Sequence, residues 1–216
     1  MNIEFLTFLK REIYRFMVLY KQTIIPALLS SLLYILVFGE ALGSRIGPLE
    51  GQSYMSYIVP GLAMMSVITQ AYQNSASSIM QAKYLKFIED ILIAPLSGLQ
   101  VSLGYIIGGA MRGLICGLGI LIMCIILSEM PNAQGDFNIN NWPLTILYLL
   151  TVSWTFSAFG VIIGIIAKSW DEIGSFSNFI FMPMTFLGGV FYSVDMLSEP
   201  WKTISYLNPI YWMISG

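Results

Sequence analysis

The chain has 216 residues, 56% of them hydrophobic and only 10% charged, with mean hydropathy +0.74 and net charge −2. A soluble domain is roughly 45–50% apolar and a quarter charged, so composition points to an all-α polytopic membrane protein. No basic surplus exists to release counterions, which excludes a nucleic-acid partner, and the absence of histidine removes the commonest acid–base group and metal ligand.

Residues 3–20 place Leu6, Leu9, Ile13, Phe16 and Tyr20 at helical spacing, with Lys10, Arg11 and Arg15 interleaved. The pattern predicts an amphipathic helix lying in the membrane interface. With Glu4, Glu12 and the basic residues mixed in, the N-terminus lacks the apolar run and cleavage site of a secretory signal. A first span follows over about 23–39, with Pro26 near its start, where proline costs least. Residues 40–52 read as a loop.

A second span covers about 54–80. Its later half carries Thr69, Gln70, Gln73, Asn74, Ser75, Ser77 and Ser78. Polar side chains at membrane depth face protein or water rather than lipid. Either this half leaves the hydrocarbon or it lines an inter-helix cavity.

Residues 83–98 form the most densely charged run between two apolar segments, with Lys83, Lys86, Glu89 and Asp90. Phe87 and Ile91 lie four apart, as do Ile88 and Leu92. The spacing predicts a short amphipathic helix ended by Pro95 and a Ser97-Gly98 turn. Such a helix can rest on lipid or be gripped by another protein, and its periodicity does not choose between these.

The third span, about 99–127, has Gly109, Gly113 and Gly117 on one face, which permits close approach to another helix. Arg112 is its one interior charge and needs a carboxylate, carbonyls or a water path, in a structural pair or a substrate contact. Cys116 and Cys124 lie about 12 Å apart along a helix, too far for a disulfide, and read as small apolar residues. A fourth span covers about 143–167, and a fifth about 173–190, interrupted by Pro183. Residues 192–213 mix prolines, charges and aromatics without a spanning run. They predict short interfacial or re-entrant helices, with Trp201, Tyr206, Tyr211 and Trp212 at headgroup depth.

Lysine and arginine counts set the orientation. With the N-terminus cytoplasmic, Lys10, Arg11, Arg15, Lys21, Lys83, Lys86 and Lys168 are all cytoplasmic, seven of the ten basic residues. The charged run at 83–98 then faces the cytosol. None of the six lysines follows a glycine, so no P-loop is present. HExxH, GxSxG and metal-ligand clusters are also missing. Carboxylates look sparse inside the spans, whereas ion-driven carriers place them at membrane depth. If the chain moves anything uphill, its energy comes from a partner.

Three regions resemble the ABC-2 type exporter permease family: Ile58 to Ile68 (IVPGLAMMSVI), Phe87 to Pro95 (FIEDILIAP), and Phe186 to Leu197 (FLGGVFYSVDML) followed by Leu207 to Gly216 (LNPIYWMISG). The resemblance covers essentially the whole chain and is nearest to a branch of bacterial inner-membrane permeases. It implies a single transmembrane domain over 1–216 with the six-span type V exporter fold, of which the sixth span is absent from the sequence, as in a truncated chain. It implies an interfacial connector helix at 1–21, a cytosolic coupling helix at 83–95 and an external re-entrant segment at 192–213.

The same resemblance assigns ATPase coupling to Lys86, Phe87, Ile88, Glu89, Asp90, Ile91, Leu92 and Pro95. It marks Phe186, Leu187, Gly188, Gly189, Val190, Phe191, Asn208 and Pro209 as family motif. It implies a homodimer among membrane lipids in the bacterial inner membrane, paired with cytosolic ABC ATPase subunits. This chain would be no enzyme and bind no cofactor; ATP and magnesium would sit on the partner. The expected function is outward movement of an amphiphile such as a lipid, polysaccharide or drug. A membrane scaffold, or a channel or carrier not driven by ATP, are the alternatives.

Overall fold

Apolar runs long enough to bury several helical turns dominate this chain, and they fold as helices because a membrane offers the backbone no other partner. The computed structural model describes residues 3–49, 51–129, 137 and 139–215. Its frame is three long helices: α5 (Tyr54–Tyr84), α7 (Gly98–Ser128) and α8 (Trp142–Ile166), packed against one another. Ser53, Ser97 and Asn141 cap their N-termini, each accepting a backbone N–H. Ser97 and Gln100 form a full capping box, so the expected Ser97-Gly98 turn is the start of α7.

Small residues set the spacing. A Cβ on Gly160 would lie 2.5 Å from the Tyr72 carbonyl oxygen, and one on Gly113 2.9 Å from Ala71 Cβ. The glycine face of the third span therefore meets α5 and α8 within the same chain. Hydroxyls fasten the contact: Ser153 donates to Ala110 O at 2.6 Å and Ser157 to Ile106 O at 2.7 Å. The oxygens of Ser75 and Ser157 are 2.6 Å apart.

Around this core, α1 (Ile3–Val18) packs on α7. After a bend at Leu19 come α2 (Tyr20–Thr23) and α3 (Ile25–Tyr34), then a wide π-helical stretch, Ile35–Leu42, and α4 (Gly43–Ile46). Much of the expected 40–52 loop is thus helical, and only an isolated bridge, Leu49 to Gln52, turns the chain into α5. The short α6 (Ile88–Ile93) joins α5 to α7. The fifth segment comprises α9 (Trp170–Phe176), a π-helical turn Ser177–Phe181, and α10 (Met182–Leu187). Pro183 lies in the first turn of α10, where its missing N–H costs least. A 3₁₀ turn, Val194–Met196, leads to α11 (Trp201–Leu207) and α12 (Pro209–Ser215).

Among the described residues, three helical stretches are long and apolar enough to cross a membrane: Tyr20–Gly39, Gly98–Ser128 and Trp142–Ile166. The 31-residue α5 is long enough, but its polar half lowers its hydropathy. Outward faces carry large apolar side chains, including Leu33, Leu147, Ile162 and Phe179, as expected where lipid replaces water.

Candidate functional site

The charged corner differs from the predicted amphipathic helix over 83–95. Helix α5 runs on to Tyr84, and Lys86 then adopts a left-handed φ of 60° that breaks the helix. Only six residues, Ile88–Ile93, are helical beyond it. In that extension the Lys83 ammonium donates to the Ile165 and Ala167 carbonyls, at the C-terminal end of α8. It joins two helix ends instead of presenting a charge.

The apolar side chains of the corner also divide. Ile91 is buried in the chain's own core, and Phe87 and Ile88 are partly covered. Leu92 and Ile93 are 71% and 83% exposed, alongside exposed Tyr84 and Leu85. Glu89 and Asp90 are exposed in the first turn of α6, and Lys86 and Pro95 are exposed beside them. The spacing of Ile88 and Leu92 thus does not define one common face.

Beside this corner a groove of about 730 Å³ separates α6 from α1, lined by Glu4, Thr7, Arg11, Phe87, Asp90 and Leu96 among others. The Arg11 guanidinium lies 4.9 Å from the centre of the Phe87 ring and 5.3 Å from that of Phe8.

Helix α1, expected to lie in the membrane interface, also turns a side onto α7. Its buried line is Phe8, Glu12 and Phe16, while Leu6 and Tyr20 are exposed. The physical reason lies on α7. Gly104 and Gly108, one turn apart, leave room that Phe8 and Glu12 fill; a Cβ on Gly108 would lie 3.1 Å from Glu12 Cβ.

Glu12 is fully buried. It accepts from Arg11 at 3.0 Å and from the Ser78 hydroxyl, and its Oε2 lies 3.6 Å from Arg15 Nε. Arg15 Nη2 in turn donates to Asn74 O and Oδ1, both at 3.0 Å. Glu12 is buried while the Arg11 and Arg15 side chains are 43% and 21% exposed, so removing an arginine leaves a buried carboxylate less well paired, at less than the roughly 3–5 kcal/mol of a fully buried pair.

The polar half of α5 resolves into two faces. Asn74, Ser75 and Ser78 point inward, held by α1, α7 and α8. Thr69, Gln73, Ser77 and Gln81, with Met65 above them, repeat every four residues along the only incompletely buried side of α5 in this region. Thr69 and Ser77 donate to carbonyls of their own helix. Arg112 is buried and donates to the Gln70 amide oxygen and, at 3.4 Å, to Thr23 O. It has a structural pairing within the chain that ties α7 to α5 and to the first span.

The far end of α5 meets the motif that closes the chain. Gly189 turns the backbone with φ +82°, and Val190 packs on Gly61 so closely that a Cβ there would lie 2.9 Å from Val190 Cα. Tyr54 and Tyr57 donate to the Phe191 and Tyr192 carbonyls at 2.9 and 3.2 Å. The Phe191 ring contacts Phe186, Tyr34 and Phe38, and Leu187 and Gly188 complete the turn. Asn208 accepts from Ile210 N at 3.0 Å and donates to Met184 O, with Pro209 opening α12. Trp201 and Trp212 are exposed there. A cavity of about 940 Å³ opens beside this end, with Gln52, Ser56, Asn141 and Thr145 facing Met64 and Leu149.

Glu12 and Lys83 were not recognisable as contact residues from charge alone. A signal did exist for Glu12, since it repeats at four-residue spacing between Phe8 and Phe16. Its complement is Gly104 and Gly108, on a helix nearly a hundred residues away.

Residues 3–216 match the family described as ABC-2 type transporter. The inner membrane transport permease YadH of Escherichia coli K12 is 44% identical over 206 residues, covering 95% of this chain and 78% of YadH. Nodulation protein J of Rhizobium leguminosarum bv. viciae is 23% identical over 193 residues, 87% of this chain and 70% of that protein. Nodulation protein J of Neorhizobium galegae is 22% identical over 180 residues, 83% of this chain and 66% of its own length. No solved structure matches.

Proposed function

This chain belongs to the ABC-2 type transporter family as a transport permease of the bacterial inner membrane, and from that premise we propose that it is the membrane subunit of an ATP-driven exporter. The N-terminus and the α6 corner face the cytosol, a separate ABC ATPase binds that corner, and two copies of the chain form the pathway. ATP with magnesium is held by the ATPase. The substrate is an amphiphile that leaves the cytosolic side.

The observation that carries this reading is the α6 corner itself. Two 31-residue helices, α5 and α7, converge on a six-residue helix with exposed Leu92 and Ile93 beside exposed Glu89 and Asp90. Apolar anchors rimmed by charge suit a protein partner that must grip and be released. Long rigid helices then carry a push across the membrane as a rigid-body motion.

Two further features support the pathway. In this reading the Thr69–Gln73–Ser77–Gln81 stripe lies at membrane depth, where a polar line suits an aqueous path or a second copy rather than lipid. The cavity beside Gln52 and Asn141 joins hydrogen-bonding groups to apolar ones, as an amphiphile requires. An internal ion-driven mechanism finds little support, because the one fully buried carboxylate among the described residues is occupied by two arginines and a serine.

Glu89→Lys with Asp90→Lys tests the corner. The full chain, purified from membranes, is expected to carry an ABC ATPase, and the double reversal to lower its recovery at least tenfold. An ATPase recovered equally well with the reversed chain overturns the assignment. Transport that follows an ion gradient without ATP overturns the exporter reading itself.

A further inference from the structure

Glu12 stands in two sets of contacts at once. Along α1 it holds Arg11 and Arg15, and across the helix boundary it holds Ser78 of α5. Arg11 reaches in the other direction, over the Phe87 ring at the entrance to α6. An unbroken line of contacts therefore runs from Phe87 through Arg11 and Glu12 to Ser78, and through Arg15 to Asn74.

The links in that line differ in stiffness. The Arg11 side chain is 43% exposed, and its attraction to the Phe87 ring face is the weaker link of the line. The Glu12–Ser78 bond is buried, the Arg15 bonds to Asn74 are partly so, and parting Glu12 from its partners strands a carboxylate away from water. The glycines of α7 add shape to this, since Phe8 and Glu12 sit in the space left by Gly104 and Gly108. An ordinary interfacial helix needs none of these devices. Leu6, Tyr14 and Met17, exposed on the outer side of α1, are what lipid contact calls for.

We infer that α1 and α5 move as one body, and that Glu12 is the positioning residue that passes a displacement at the α6 corner to the polar stripe of α5. The inference rests on the exporter reading above and assigns it a transmission element. Displacement of α6 shifts Phe87 under Arg11. Arg11 draws on Glu12, and the stiff contact at Ser78 turns α5, re-aiming Gln73 and Ser77. Mere adjacency along a line of residues does not demonstrate coupling, so the experiment must read motion at the far end.

The readout is maleimide labelling at Gln73→Cys in proteoliposomes of the full chain with its co-purified ABC ATPase. Cys116 and Cys124 are buried and contribute little background. With Glu12 present, ATP plus vanadate is expected to change the labelling rate by about fivefold, the low end of allosteric coupling. Glu12→Gln keeps the shape and can still accept from Ser78, but it has no charge with which to hold the arginines. That variant is expected to retain the ATPase and lose the nucleotide response.

Phe87→Leu cuts the opposite end of the line outside the ionic cluster and should also lose the response, which covers the case of a poorly folded Glu12→Gln. A full response in either variant overturns the inference and leaves Glu12 a static packing group. An unmodified Glu12 chain that binds no ATPase, or shows no nucleotide response, is a different result: the exporter reading fails first, and the transmission element fails with it.

Discussion

The two ends of α5 are held by opposite kinds of chemistry. At the α12 end the contacts are neutral and geometric: Val190 seated on Gly61, two tyrosine hydroxyls on successive carbonyls, and a ring cluster around Phe191. At the α6 end they are ionic and directional, centred on Glu12, with Lys83 binding the carbonyl end of α8. Close packing resists displacement in every direction and has no alternative arrangement. A charged contact can stay intact while its partners pivot, and it has identifiable weak members. The first suits an anchor and the second a drive point.

The largest effect should come from the anchor. Gly61→Ala places a methyl 2.9 Å from Val190 Cα, and a backbone atom cannot swing aside. The expected loss is about 3 kcal/mol, the upper range for overpacking, seen as a lowered thermal midpoint in detergent. An unchanged midpoint would mean that the two segments slide freely and that the anchor is illusory.

Deleting one hydroxyl at each end sharpens the contrast. Ser78→Ala removes a donor to a buried carboxylate, and about 2 kcal/mol should be lost. Tyr54→Phe removes a donor to a neutral carbonyl and should cost about 1 kcal/mol. Equal losses, by the same thermal assay, would erase the distinction between ionic and neutral ends.

The smallest effect concerns the surface of the α12 end. Lys202 and then Tyr206 donate to Asp195 and hold its carboxyl below the ordinary aspartate value of 3.8, while Asp195 raises the Lys202 ammonium. A depressed carboxylate contributes stability that is present above 3.8 and is lost as pH falls through the lowered value. Hydrogen exchange in α11 should therefore be steady near neutrality and quicken, relative to α7, only in acid below that value. The group is fully exposed, so global stability should hardly move.

Much of the fold was legible in advance. The first, third and fourth spans and the short aromatic helices after residue 192 follow from runs of residues that interact with their own neighbours. The charged corner was legible as a corner, but its helix bounds and its division of labour were not. Lys83 belongs with α8 and Ile91 with the core, because α5 continues one turn further than its composition suggests. The side of α1 that packs on α7 could not be read from apolar spacing, because the deciding feature was the space left by two glycines on another helix.

Resemblance to known motifs pointed to the family, and by itself the sequence determined the class of protein and the approximate placement of its long helices. These are properties of composition and local periodicity, and a membrane imposes them on each segment separately. Tertiary structure alone decided which polar residues of α5 are locked inward and which are left facing outward, what Arg112 holds, and that Glu12 is buried. Helices that are apolar all round carry too little asymmetry to say which side meets protein and which meets lipid. That choice is made between segments distant in sequence, by complementary volumes and hydrogen-bond partners that no single segment contains.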